Sequence, residues 1–136
     1  MTLIYKICER ASWQEAERDG AFRGAPVDRA DGYIHFSTAD QLRETAARHF
    51  AGQQELVLVA VESAALGPAL KWEPSRGGAL FPHLYGDLPL TAVAWVRPLP
   101  LGPDGHHVFP PPLRPAVPRE LKNGVSIMSS KKSSPT

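Results

Sequence analysis

The sequence predicts an α+β fold: one small domain with a curved mixed or antiparallel sheet and short helices. Three observations carry that prediction. The run Glu55-Leu56-Val57-Leu58-Val59-Ala60-Val61 is apolar and β-rich after its first residue, the mark of a strand buried on both faces. The stretch Asp31-Gly32-Tyr33-Ile34-His35-Phe36-Ser37-Thr38 puts strand-forming residues just before Thr38 and Gln41, whose spacing is that of a capping box. A strand there opens directly into a helix. Elsewhere, apolar positions with a period of two alternate with short helical spacings, with no internal repeat.

In chain order, Leu3 to Cys8 reads as a strand with Leu3, Tyr5 and Ile7 on one face and Ile4, Lys6 and Cys8 on the other. Ser12 and Glu15 have capping-box spacing, Trp13 and Ala16 give an apolar face, and Gly20 is a natural stop, so a short helix follows. A polar connection, Val27 to Asp31, leads to the central strand. On that strand Tyr33, His35 and Ser37 share one face, while Ile34 and Phe36 share the other. The next helix runs from about Ala39 to Ala51, with Leu42, Ala46, His49 and Phe50 at helical spacing, which sets His49 at the border of the core.

After the buried strand, Ala64 to Leu66 is one helical turn stopped by Gly67-Pro68, and Ala69 to Glu73 is a strand. Pro74 to Pro89 reads as a long loop, rich in Gly and Pro yet carrying Phe81, His83, Leu84 and Tyr85. Phe81 and Leu84 are its expected anchors, folding His83 and Tyr85 towards His35. Leu90 to Val96 closes the sheet. Eight of the fourteen prolines lie between Pro98 and Pro118, which predicts an extended segment packed over the domain through Val108 and Phe109. The globular domain is thus expected over residues 1–118, and the polar residues 119–136 read as a disordered tail.

Composition narrows the function classes. The chain has 136 residues, 43% of them hydrophobic, which suits one packed core. A net charge of +1 with interspersed signs gives no polyanion-binding signature of the kind a nucleic-acid protein usually shows, and leaves room for local basic sites. Cys8 is the sole cysteine, so no internal disulfide forms and a thiolate-rich metal site is excluded. No apolar stretch approaches the ~20 residues of a membrane span, and the N-terminus has no signal-peptide pattern, which makes a cytoplasmic protein the expectation.

Three groups of residues carry chemistry: Tyr5 with Lys6, His35 with Ser37, and Glu73, Arg76, His83 and Tyr85 around the long loop. His35, His83 and His106 or His107 match no zinc spacing, so no metal is expected. Ser37 lacks the Gly-x-Ser-x-Gly elbow of a hydrolase and reads as an orienting hydrogen-bond group. A lone strand histidine such as His35 is by itself more often structural than catalytic.

The segments Ile4-Tyr5-Lys6-Ile7, Gly32-Tyr33-Ile34-His35-Phe36-Ser37-Thr38 with Gln41, Trp72-Glu73-Pro74 and Phe81-Pro82-His83-Leu84-Tyr85-Gly86 resemble a family of small bacterial proteins, domain of unknown function 952. The likeness runs from Leu3 to Leu99. That family in turn resembles the ADP-ribosyltransferase and RNA 2′-phosphotransferase fold, a split mixed sheet binding NAD in a cleft between its halves. The resemblance implies Lys6 at the first motif position, where a histidine commonly stands, His35 at the second, and Glu73 or His83 at the third. It implies NAD or a related nucleotide as ligand, with glycosyl or 2′-phosphate transfer by His35, Glu73 and His83. Tyr5, Lys6, Tyr33, Ser37, Gln41, Arg76 and Tyr85 would bind the ligand, with Tyr33 or Tyr85 stacking on nicotinamide and His35 or Lys6 bonded to ribose hydroxyls. A non-catalytic module for a small anionic metabolite or a protein partner is the alternative.

Overall fold

The computed structural model describes residues 2–111 and 113. The expectation of a disordered 119–136, and the end of the segment packed over the domain, lie outside these residues. Strand β1 (Leu3–Glu9) runs straight into helix α1 (Arg10–Asp19), followed by β2 (Ala21–Phe22), α2 (Pro26–Asp31), β3 (Ile34–His35), a 3-10 turn (Ala39–Gln41) and α3 (Leu42–His49). The second half is β4 (Leu56–Glu62), a 3-10 segment (Ser63–Ala69), β5 (Leu70–Ser75), β6 (Ala79–Leu84), β7 (Leu88–Pro89), a 3-10 turn (Leu90–Ala92) and β8 (Val93–Pro98).

The strands form two three-stranded sheets, β1-β4-β8 and β3-β6-β5, and a short β2-β7 pair. Every pairing is antiparallel. The two larger sheets are joined through the backbone where Tyr5 and Ser37 exchange N–H to carbonyl bonds of 2.8 and 2.9 Å. The result is a small α+β domain in which one sheet leaves off where the other begins.

β4 is buried on both faces, and the alternation read along β1 is the reason. Ile4 and Cys8 pack with Val57, Val59, Val61, Trp13, Phe22, Ile34 and Phe36 on one side. Tyr5 and Ile7 pack with Leu56, Leu58, Ala60, Leu42, Leu99 and Phe109 on the other. Burial pushes the Cys8 thiol up to about 12, so it is an inert core group.

Several local expectations are corrected. Helix α1 starts at Arg10, so Ser12 and Glu15 lie within it and form no cap, while Gly20 ends it in the left-handed conformation as read. Val27 to Asp31 is the helix α2: Pro26 supplies a preset first turn, but the inward residue is Asp28 and Val27 is exposed, so no apolar period betrays it. The supposed loop Pro74 to Pro89 contains β6 and β7. Pro82 lies within β6, the middle strand of its sheet, against the usual rule for proline, although its carbonyl still accepts from Phe36 N–H at 3.0 Å. Phe81 and Leu84 are buried as anchors. His49 is exposed on α3 instead of bordering the core. Leu99 and Phe109 hold the proline-rich segment down, while Val108 is exposed.

Candidate functional site

The register of the second sheet builds the site. His35 on β3 stands opposite His83 on β6, and His83 stands opposite Lys71 on β5. Directly opposed residues share a face, so the two histidines meet, with ring centres 5.6 Å apart. Tyr33 lies against both: its ring stacks on His83 at 4.2 Å and lies 4.7 Å from His35 and 5.2 Å from Tyr85. Glu73 closes the group, accepting from His83 Nδ1–H and from Tyr85 Oη–H, both at 2.8 Å. Those two bonds, His83 first, hold its carboxyl below the usual range. The same carboxylate raises the Tyr85 phenol. Burial, then the charges of Asp31 and Glu73, raises that of Tyr33.

Behind His35 lies a residue the sequence reading missed, Asp28. Its carboxylate accepts from Lys6 Nζ at 3.0 and 2.9 Å, from Ala25 N–H at 2.8 Å, from His35 N–H at 3.1 Å and from His35 Nδ1–H at 2.6 Å. Burial works to raise its pKa. The His35 bond and the Lys6 charge outweigh that and bring it down to about 2. Gly24 is required beside it, since its φ is +107° and a Cβ there would come within 2.9 Å of Asp28 Cβ. The signal available in the sequence was Lys6 itself: a cation in a buried strand demands an anion, and Asp28 is the buried carboxylate that meets it.

The single cleft expected from the sequence is therefore reassigned. Tyr33, His35, Glu73, His83 and Tyr85 do come together. Lys6 is 5% exposed and bound to Asp28, so it cannot reach a ribose hydroxyl. Tyr5 is buried in the other core beside Trp95. Ser37 Oγ is bonded to Thr45 Oγ1 on α3 at 2.9 Å and docks that helix. Gln41 accepts from Thr38 N–H and donates to the Leu80 carbonyl, tying the start of α3 to β6. Arg76 sits in the turn joining β5 to β6, and its side chain lies outside the described part of the structure. Two cavities of about 210 Å³ lie elsewhere, one between α1 and α2 and one beside Leu56 and Leu99.

A partly exposed aromatic platform with two carboxylate-bound histidines defines the class of site. Residues 7–96 match the family described as Protein of unknown function (DUF952), and the chain belongs to that family. Its fold is similar to the crystal structure of protein CC0527 from Caulobacter crescentus, 53% identical, with a TM-score of 0.76 over 79% of this chain and 94% of that one. The solution structure of the same protein gives 55% identity and a TM-score of 0.71 over 78% and 91%. No curated protein matches the chain. No helix among the described residues is long and apolar enough to cross a membrane.

Proposed function

We propose that the face bearing Tyr33, His35, Glu73, His83 and Tyr85 binds NAD or a related nucleotide, on a sheet of the ADP-ribosyltransferase type. The supporting observation is the meeting of these five side chains two residues from the Tyr5–Ser37 junction of the sheets. A split sheet with ligand groups at its junction is the arrangement the family resemblance implies. The protein works in the cytoplasm on this reading. Tyr33 and Tyr85 offer ring faces to the nicotinamide, and His35 offers Nε2 to a ribose hydroxyl that displaces Asp31, which holds it at 2.9 Å. In glycosyl transfer the bond from ribose C1′ to nicotinamide breaks, the base leaves neutral, and an acceptor hydroxyl or amine takes C1′ and gives up its proton to water. Glu73 would stabilise the positive charge that builds on the ribose, as a carboxylate does for any oxocarbenium-like state. His83 holds Glu73 in place for that role.

One observation favours a second reading, that of a module binding a small anionic metabolite or a protein partner without catalysis. Lys6, at the first motif position, is bound to Asp28 and cannot touch a ligand, so one of the three positions of the transferase pattern is silent. Calorimetric titration of the full chain with NAD and with ADP-ribose, with melting curves for wild type and His35→Ala, separates the readings. Binding that His35→Ala weakens by about two- to tenfold, with the fold retained, supports the nucleotide site. Failure of the wild type to bind either compound at millimolar concentration leaves the non-catalytic module as the better account.

A further inference from the structure

His35 is held by two carboxylates that come from one short helix, and their situations differ. Asp28, 1% exposed, takes the ring's Nδ1 at 2.6 Å. Asp31, 46% exposed and one turn further along α2, takes Nε2 at 2.9 Å. Asp28 cannot turn away. Lys6 and the Ala25 N–H fix both its oxygens, and the oxygen that binds the ring also binds the His35 backbone N–H. Asp31 has no such anchorage, and it stands in the last turn of α2, where the terminal carbonyls disfavour an anion.

We propose that Asp28 is the positioning residue for His35, fixing the neutral ring as the Nδ1–H tautomer so that Nε2 faces the site as a hydrogen-bond acceptor, with Asp31 as its displaceable cover. The chemistry follows from the partners. A carboxylate only accepts, so in the arrangement seen both ring nitrogens donate, Nδ1 to Asp28 at 2.6 Å and Nε2 to Asp31 at 2.9 Å, as in the doubly protonated ring; the neutral ring keeps its proton on the side of the carboxylate that cannot turn away. The lone pair of the neutral ring is then on Nε2, the nitrogen on the side of the more exposed partner. Tyr33, packed against the ring face, opposes a flip that would exchange the two nitrogens. A ligand hydroxyl is the group such an atom recognises. That last step rests on the nucleotide reading above, whereas the assignment of Asp28 does not.

The test is nitrogen NMR on the full ¹⁵N-labelled chain without ligand, at alkaline pH. The wild type is expected to show a pyrrole-type Nδ1 and a pyridine-type Nε2 for His35, and the opposite pattern overturns the proposal. In Asp28→Asn, whose amide must choose between accepting from the ring and accepting from Ala25, the preference is expected to fall to a mixture. An unchanged tautomer in that variant also overturns it. Should Asp28→Asn fail to fold, Lys6→Met keeps the test alive: it leaves the Asp28 bond to the ring in place, so the tautomer must persist, and its loss would assign the effect to the ion pair.

Asp31→Asn addresses the cover. At mildly acidic pH, solvent exchange of the His35 Nε2 proton is expected to quicken about threefold, the effect of losing one modest hydrogen bond. Unchanged exchange removes Asp31 from the proposal. ADP-ribose added last distinguishes the two readings: no binding with the predicted tautomer intact defeats the nucleotide and leaves Asp28 in its role.

Discussion

The two three-stranded sheets are built alike and held together differently. In β1-β4-β8 the middle strand presents an apolar side chain at every position from Leu56 to Val61, none more than 7% exposed. In β3-β6-β5 the outer strand β5 is largely exposed, and what joins it to its neighbours on the site face is Glu73 bonded to His83 and Tyr85. Burial of apolar area is non-directional and strong, so the first sheet tolerates no voids. Hydrogen bonds and ring contacts are directional and individually modest, so the second sheet can present polar groups to a ligand. Lys6 is where the first sheet reaches into the second, a cation placed among Ile4 and Cys8 to hold an aspartate that holds His35.

The largest expected effect breaks that link. Lys6→Met should cost about 4 kcal/mol in urea unfolding, because the Asp28 carboxylate then stays buried without its cation. Adding Asp28→Asn should recover part of the loss, since a neutral amide still accepts from one neighbour. A double variant no more stable than Lys6→Met would show that the two residues are not coupled. Leu58→Ala, on the opposite core face and 0% exposed, should cost about 3 kcal/mol through its cavity and add independently to Lys6→Met. Strong non-additivity would mean that the two faces of the first sheet are coupled through β1 and β4.

These two regions also differ in how far the sequence reveals them. The β4 run, the faces of β1 and the Thr38–Gln41 cap follow from local periods, because apolar burial writes a pattern of two or of 3.6 into the chain. Helix α2 does not, because its buried side is a single carboxylate whose partners, Lys6 and His35, lie 22 and 7 residues away. β6 was hidden by Pro82 and by the glycines that precede it, signals that ordinarily mark a loop. The aromatic and carboxylate residues of the site were nameable from their types and from the family likeness, yet their grouping depends on a strand register that no local rule supplies. Lys6, Tyr5, Ser37 and Gln41 looked like ligand groups for the same reason: their polar atoms are visible in sequence, whereas the partners that occupy them are not.

Acid should weaken the link more gently than mutation does. Asp28 has a folded pKa of about 2, against an ordinary value of ~3.9. The group therefore contributes stability at any pH above its ordinary value, and that contribution disappears as pH falls from about 4 through about 2. Its size is about 2.5 kcal/mol. Urea unfolding midpoints measured across that window should decline in the wild type and decline less in Asp28→Asn. Equal slopes would place the acid sensitivity in other carboxylates.

The smallest effect lies at the exposed end of the site. Tyr85→Phe keeps the ring beside Tyr33 and removes only the hydroxyl that donates to Glu73 Oε1. Melting temperature should not change measurably, because the phenol is on the surface and water takes over the lost bond. The Glu73 carboxyl should respond nonetheless. Its pKa is held down first by His83 and second by Tyr85, so it should move up towards the ordinary value while staying below it. A ¹³C titration of the Glu73 carboxyl reads this directly. A full return to the ordinary value would mean that the His83 bond does not persist without Tyr85, and that Glu73 is positioned by the pair acting together. No movement would mean that His83 alone fixes the carboxylate, which leaves the Tyr85 hydroxyl available to a ligand.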